Sequence, residues 1–289
     1  VSYVLHHLVT LLFAAVAMVW LPRGRWTHSC PRTALVLWQL VVLSAVVSLV
    51  GALLGAGLAP YGRGVVPGFL AFLNAPGALD PVHLVAVLAG LSVIGLLVSE
   101  QVLGLLRTAR ARARHRRLLD LVASADGDAM VVGHSIPVAY CLPGRRPQIV
   151  ISAGTRQVLS AEQLRAVLAH ERAHVHERHH LLLEPFEGLR LLLPTGALAA
   201  IQLLVEMCAD DRAARQHGGE ALAGALERFS ELGIGGTPAG AFAAASVATT
   251  ARIQRLRHPR RAAGVLGVLA VVVAMVALAT PVSLFALPA

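Results

Sequence analysis

Four stretches of the chain, residues 4–21, 34–58, 82–106 and 262–284, are almost wholly apolar. Each is close to the ~20 residues that carry a helix across ~30 Å of hydrocarbon. Inside a bilayer the backbone can satisfy its own hydrogen bonds only as a helix or a closed barrel. Blocks of this length predict helices, so they restrict the chain to a mainly α membrane protein. Composition agrees. Hydrophobic residues make up 56% and charged residues 14%, against about 25% charged in soluble domains. Mean hydropathy is +0.68. Trp20 and Trp38 lie near the ends of the first two blocks, where interfacial aromatics belong.

The basic charge is entirely arginine, and its placement predicts a topology. Arg23, Arg25 and Arg32 lie between the first two blocks, and Arg107, Arg110, Arg112, Arg114, Arg116 and Arg117 follow the third. Arg252, Arg255, Arg257, Arg260 and Arg261 precede the fourth, while the loop between the second and third has Arg63 offset by Asp80. Lys and Arg concentrate on the cytoplasmic side of membrane proteins. The expectation is therefore a multi-pass protein of the plasma membrane with both termini outside. Residues 1–106 form a three-helix region, 107–261 a cytoplasmic domain, and 262–289 the fourth span with a short outer tail. The net charge of +9 does not require nucleic acid. The arginines abut a span, no aromatics alternate with them and no DNA-binding motif follows, so contact with anionic lipid accounts for them. The first block has no basic residues ahead of its apolar core, unlike a cleaved signal peptide. His6 and His7 near its outer end read as interfacial.

Within the cytoplasmic segment, residues 160–183 read SAEQLRAVLAHERAHVHERHHLLL. Ser160 and Gln163 make a capping box, and no Gly or Pro follows until Pro185. One helix is predicted, and it carries His170-Glu171-Arg172-Ala173-His174. Residues four apart share a helix face. His170 and His174 can hold one zinc ion, with Glu171 beside it to take a proton from activated water. At 100° per residue, Leu164, Leu168 and Val175 form the stripe expected to be buried. On the same wheel His176, His179 and His180 point away from the His170–His174 face. A chain with 13 histidines could match this pattern by chance on a surface helix. A second element argues otherwise. Glu206 and Asp210, again four apart, lie in the helical run 197–216. Glu206 is the candidate third ligand, and Asp210 can accept the outer N–H of a ligand histidine. Three ligands leave one zinc position open, as catalysis needs.

An H-E-x-x-H helix followed by an E-x-x-x-D helix resembles the gluzincin metallopeptidases. The wording AVLAHERAHV and VEMCADDRA is most similar to the BlaR/MecR-type integral-membrane zinc peptidases, and less so to HtpX and Ste-type proteases. LSAEQL and the hairpin-like AYCLPGRRPQIVISAGT fit as well. The resemblance implies an α+β gluzincin domain inserted between the third and fourth spans, with Zn2+ as cofactor and Glu171 as catalytic base. It also implies cleavage of a polypeptide in regulatory signalling, with a BlaI/MecI-like repressor as the kind of partner. Two positions depart from the family. His179 stands where an Asp is usual, nine residues after the first histidine, and Ala209 separates Cys208 from Asp210. Those sensors carry a penicillin-binding domain after the fourth span. The sequence ends at Ala289, so none is expected.

Residues 118–125 read as the end of a helix continuing from the third block. Residues 129–132, 138–142 and 148–152 read as short strands, and an edge strand beside the motif helix could bind an extended peptide. Residues 191–205 are too short and too broken by Pro194 and Gly196 to span. Residues 219–232 and 246–258 read as helices joined by a glycine-rich link at 233–240. Cys30, Cys141 and Cys208 show no paired spacing and are expected as free thiols. Two other functions fit parts of the sequence. One is a catalytically silent metal-binding scaffold, which has no need of Glu171. The other is an intramembrane protease, whose motif would lie inside a span and not among Arg165, Arg172 and Arg178.

Overall fold

The computed structural model describes residues 2–75, 77, 79–233, 242–258 and 264–286. The chain divides into two units. One comprises Val1–Val102, Glu187–Ile201 and Ala262–Ala289, and the other Leu103–Phe186 and Gln202–Arg261.

The first unit is built from α1 (Ser2–Trp20), α2 (Pro31–Gly57), the short α3 (Val65–Asn74), the first half of α4 (Pro81–Val122) and α11 (Gly264–Ala286). Pro31 starts α2 at a position where its missing N–H costs nothing. Glycines let these helices approach closely. A Cβ on Gly57 would lie 2.6 Å from the backbone N of Val87, and one on Gly90 2.6 Å from Leu54. Stretches Tyr3–Arg23, Pro31–Gly57, Pro81–Val122 and Val265–Ser283 are each long and apolar enough to cross a membrane. They coincide with the four apolar blocks and point to membrane association. His7 is not interfacial, as its position had suggested. It is fully buried, fills the notch left by Gly51, and meets Phe285 edge-on at 5.7 Å.

The second unit is α+β. A four-stranded sheet has the order β1-β2-β4-β3, from β1 (Ala123–Asp126), β2 (Ala129–Val132), β3 (Ala139–Leu142) and β4 (Gln148–Ser152). The β2–β4 pair is parallel and the other two pairs are antiparallel. Three strands lie where the alternating residues placed them. The fourth, β1, replaces the expected helix end. α4 stops at Val122, and a two-residue Gly127-Asp128 turn, with Gly127 at φ 57, folds Ala123–Asp126 back onto β2. The short α5 (Ala153–Val158) follows, capped by Ser152, whose hydroxyl also accepts from the Val138 N–H at 3.0 Å.

Residues 160–183 form two helices where one was expected. α6 (Ala161–His176) opens with both halves of the Ser160–Gln163 capping box, at 3.0 and 3.2 Å. It closes at Glu177 because Arg178 takes the left-handed region, φ 49. α7 (His179–Gly188) then leaves in a new direction. The buried side of α6 also differs from the expected stripe. Ala166, Val167, Ala169, His170, Glu171 and Ala173 are buried, while Leu164 and Leu168 are only partly so. The cause is that α6 packs against the sheet and against α9 (Gly219–Glu231), so small residues face the tighter contacts. α8 (Ala197–His217) carries Glu206 and Asp210. α10 (Phe242–Arg257) lies on α9, where Arg257 pairs with Glu220 and Glu227 at 2.9 and 2.6 Å. All but the first residue of the glycine-rich link lie outside the described residues.

Ser160→Ala removes the acceptor for the Gln163 N–H. It is expected to cost about 1 kcal/mol, read as a lowered thermal midpoint of the detergent-solubilised chain. Ser160→Asp, which restores a cap, should recover most of that loss.

Candidate metal centre

Helix α6 sets His170 and His174 one turn apart, and α8 brings Glu206 to them. Nε2 of His170 lies 3.1 Å from Nε2 of His174. Glu206 reaches both rings, with Oε2 3.3 Å from His170 Nε2 and Oε1 3.4 Å from His174 Nε2. One ligand atom from each residue falls within 4.8 Å of the others. Two imidazole nitrogens and a carboxylate oxygen, aimed at one point, are a donor set suited to zinc.

Asp210 lies one turn beyond Glu206 on α8, and its Oδ1 is 3.0 Å from His170 Nδ1. It is 1% exposed. Glu171 is also buried, next to the sheet, and the backbone of Cys141 on β3 is among the groups that favour its charged form. Cys208 is buried on the same helix as Glu206 but is not in the donor cluster. None of the three cysteines forms a disulfide. Glu184, an acidic residue that follows the motif in sequence, pairs with Arg112 at 2.9 Å and is not in the donor cluster.

Two groups were not visible in the sequence. The first is Arg252 of α10, which sequence order tied only to topology. Its Nε and Nη2 donate to the two oxygens of Asp210 at 2.8 and 2.7 Å, and its Nη1 lies 2.9 Å from Glu206 Oε2. No spacing rule connects residue 252 to residues 206 and 210; the nearest signal is an arginine in a helix that returns to the unit. The second is His179, which the continuous-helix wheel had pointed away. The break at Arg178 turns it back, and its Nδ1 lies 3.0 Å from His174 Nδ1.

Burial would raise Asp210 and Glu206, but Arg252 outweighs it and holds both carboxylates below their ordinary range. Burial would lower His170. The carboxylates of Asp210 and Glu206 override that and hold it up at about 10. His174 has no such direct carboxylate at its outer nitrogen, and burial takes it down to about 4. Glu171 is pushed up, first by burial and also by the charge of Glu206, against the opposing pull of His170 and Arg252. Three carboxylates share this pocket with the Arg252 guanidinium, and the raised His170 supplies the further positive charge they favour. A cation at the point between the two Nε2 atoms would take the place of the His170 proton. Donor type and convergence fit a zinc ion.

Arg252→Leu leaves the buried Asp210 with His170 as its remaining charged partner and strips the half-exposed Glu206 of its guanidinium; removing one partner of a buried pair costs about 3–5 kcal/mol. Arg252→Lys keeps the charge but not the planar fork, and should recover only part. Thermal unfolding of the purified variants reads both effects.

Residues 106–285 match the family model of peptidase family M48. No curated protein and no solved structure gives a significant match. The match covers more than half of the chain, and the chain belongs to peptidase family M48.

Proposed function

We propose that this member of peptidase family M48 is a zinc-dependent membrane endopeptidase that cleaves a polypeptide at the cytoplasmic face. The observation that carries the reading is the convergence of His170, His174 and Glu206 beside a buried Glu171. These three residues would hold the metal. Zinc at such a site supplies Lewis acidity toward both water and a peptide carbonyl. Glu171 is the general base. Burial has raised its proton affinity, which suits a group that removes a proton from the attacking water and delivers it to the leaving amine. Asp210 Oδ1, 3.0 Å from His170 Nδ1, attracts the ring proton to that outer nitrogen, which would leave the lone pair of Nε2 on the inner side. Arg252 keeps Asp210 and Glu206 anionic.

The sheet supplies a place for substrate. β3 is an edge strand, paired on one side with β4. Val138 exchanges hydrogen bonds with Ser152 on the β4 side. By the alternation of an antiparallel strand, Ala139 and Cys141 turn their N–H and C=O groups outward. The Cys141 backbone on this edge is among the groups that favour the charged form of Glu171. An extended chain added to this edge would run past the base, with its backbone bonded at Ala139.

The cytoplasmic placement rests on the arginines that flank the apolar blocks. Kinship with BlaR/MecR peptidases rests on the wording of the two motifs. It makes a soluble winged-helix repressor of the BlaI/MecI kind the first substrate to try, with a membrane peptide as the comparison.

Metal analysis and peptide hydrolysis by the purified full chain test the reading. Wild type should carry zinc, and His170→Ala and Glu206→Ala should each lose it. Glu171→Gln should keep zinc and lose about 10²–10⁴-fold in rate. Zinc lost only from the histidine variant removes Glu206 as a ligand, wild-type turnover by Glu171→Gln removes Glu171 as the base, and no hydrolysis by the zinc-loaded wild type removes catalysis.

A further inference from the structure

His174 has a partner that the motif does not specify. Beyond its inner nitrogen, Nδ1 lies 3.0 Å from Nδ1 of His179, and the two rings stand edge to face, 84° apart with centroids at 4.8 Å. The far side of His179 continues outward. Its Nε2 lies 3.3 Å from Glu177 Oε2, and Glu177 Oε1 lies 3.3 Å from Arg212 Nη1. His179 is 4% exposed, so it is not simply a surface histidine near the motif. The left-handed Arg178 is what brings it back. Non-glycine residues adopt that region with some strain.

The contacts select one arrangement of protons. Two Nδ1 atoms at 3.0 Å need one hydrogen between them. Suppose His179 supplied it. Its Nε2 would then face the Glu177 carboxylate with a lone pair, and His174 would carry its own proton on Nε2, toward the metal point. Reversing the order removes both conflicts. Glu177 accepts the Nε2–H of His179, His179 Nδ1 accepts the Nδ1–H of His174, and His174 Nε2 is left with its lone pair facing inward. Arg212 neutralises the carboxylate at the outer end.

We infer that His179, anchored by Glu177 and Arg212, is a positioning residue that sets the tautomer and orientation of His174 as a metal ligand. This rests on the proposed zinc site and extends it to the chain's own outer contacts. Partners of this kind are worth about 10–100-fold in metal affinity.

The test uses the purified full-length chain in detergent, with zinc affinity measured by chelator competition and the electronic spectrum of the Co(II)-loaded protein. His179→Phe keeps a ring but no acceptor. It should weaken zinc by about 10–100-fold and shift the Co(II) bands. His179→Asn places an amide oxygen near the position of Nδ1 and should retain most of the affinity and the parent spectrum. Glu177→Ala removes the group that orders the protons, and should weaken zinc even if His179→Phe does not fold. Wild-type affinity and spectrum in His179→Phe, or wild-type affinity in Glu177→Ala, overturns the positioning role. His170→Ala separates the two levels. If zinc is stoichiometric in wild type and lost in that variant, a silent His179 refutes only the relay. If wild type holds no zinc, the metal reading and the relay fall together.

Discussion

The contact on which the candidate centre depends is the buried ion cluster around Arg252. One guanidinium donates to both oxygens of Asp210 and to Glu206. Asp210 then reaches His170. Through this chain α10 fixes α8, and α8 is held against α6. Buried charges are tolerated only when paired and hydrogen-bonded. The pairing is geometrically complete at Asp210, where Arg252 and His170 meet the carboxylate from two sides. The surplus of carboxylates favours positive charge at the point where the nitrogens meet, and the high position of His170 on the proton scale expresses that preference.

Much of this was legible in the sequence, for reasons that are local. The capping box at Ser160 and the four-residue spacings of His170–His174 and Glu206–Asp210 are properties of single helices, where spacing and face are linked by 3.6-residue geometry. The strands β2 and β4 were readable because their residues are apolar and β-branched between turn signals. The apolar blocks were readable because a membrane helix needs length and little else. A metallopeptidase followed from the same residues, since H-E-x-x-H and E-x-x-x-D together are more specific than either alone; the family match is to peptidase family M48, and the narrower BlaR/MecR likeness rests on the wording of the motifs alone.

What escaped was set by single backbone turns or by distant contacts. β1 exists because Gly127-Asp128 closes a tight hairpin. The residues of the strand, Ala-Ser-Ala-Asp, carry no strand preference of their own. The break at Arg178 had no glycine to announce it, and without it every angle beyond His176 on the helix wheel was wrong. That error is why His179 was set aside. Arg252 shares no period with its partners, and forty residues of chain separate it from Asp210. Such pairs become visible only when the fold closes the loop. The burial of α6 was misjudged for a related reason. A wheel assigns one apolar face, but a helix caught between a sheet and another helix buries two, and alanines take the closest contacts.

The two histidines of the motif end up in unlike surroundings. His170 hands its outer nitrogen directly to a carboxylate that is itself locked by Arg252. His174 meets a neutral ring first, with the carboxylate one step further out and partly cancelled by Arg212. A carboxylate directly on the outer nitrogen raises the basicity of a ligand imidazole more than a neutral acceptor does. Their proton affinities differ too: the carboxylates of Asp210 and Glu206 hold His170 up at about 10, and burial takes His174 down to about 4. Where relatives of the motif carry Asp at the position of His179, the negative charge would sit one bond closer to the second ring. Substituting His moves it outward to Glu177, so the centre keeps its hydrogen-bond order while giving up charge next to the metal. The two ligand rings of the proposed site would therefore differ in their outer support, a carboxylate locked by Arg252 for His170 and a neutral ring for His174.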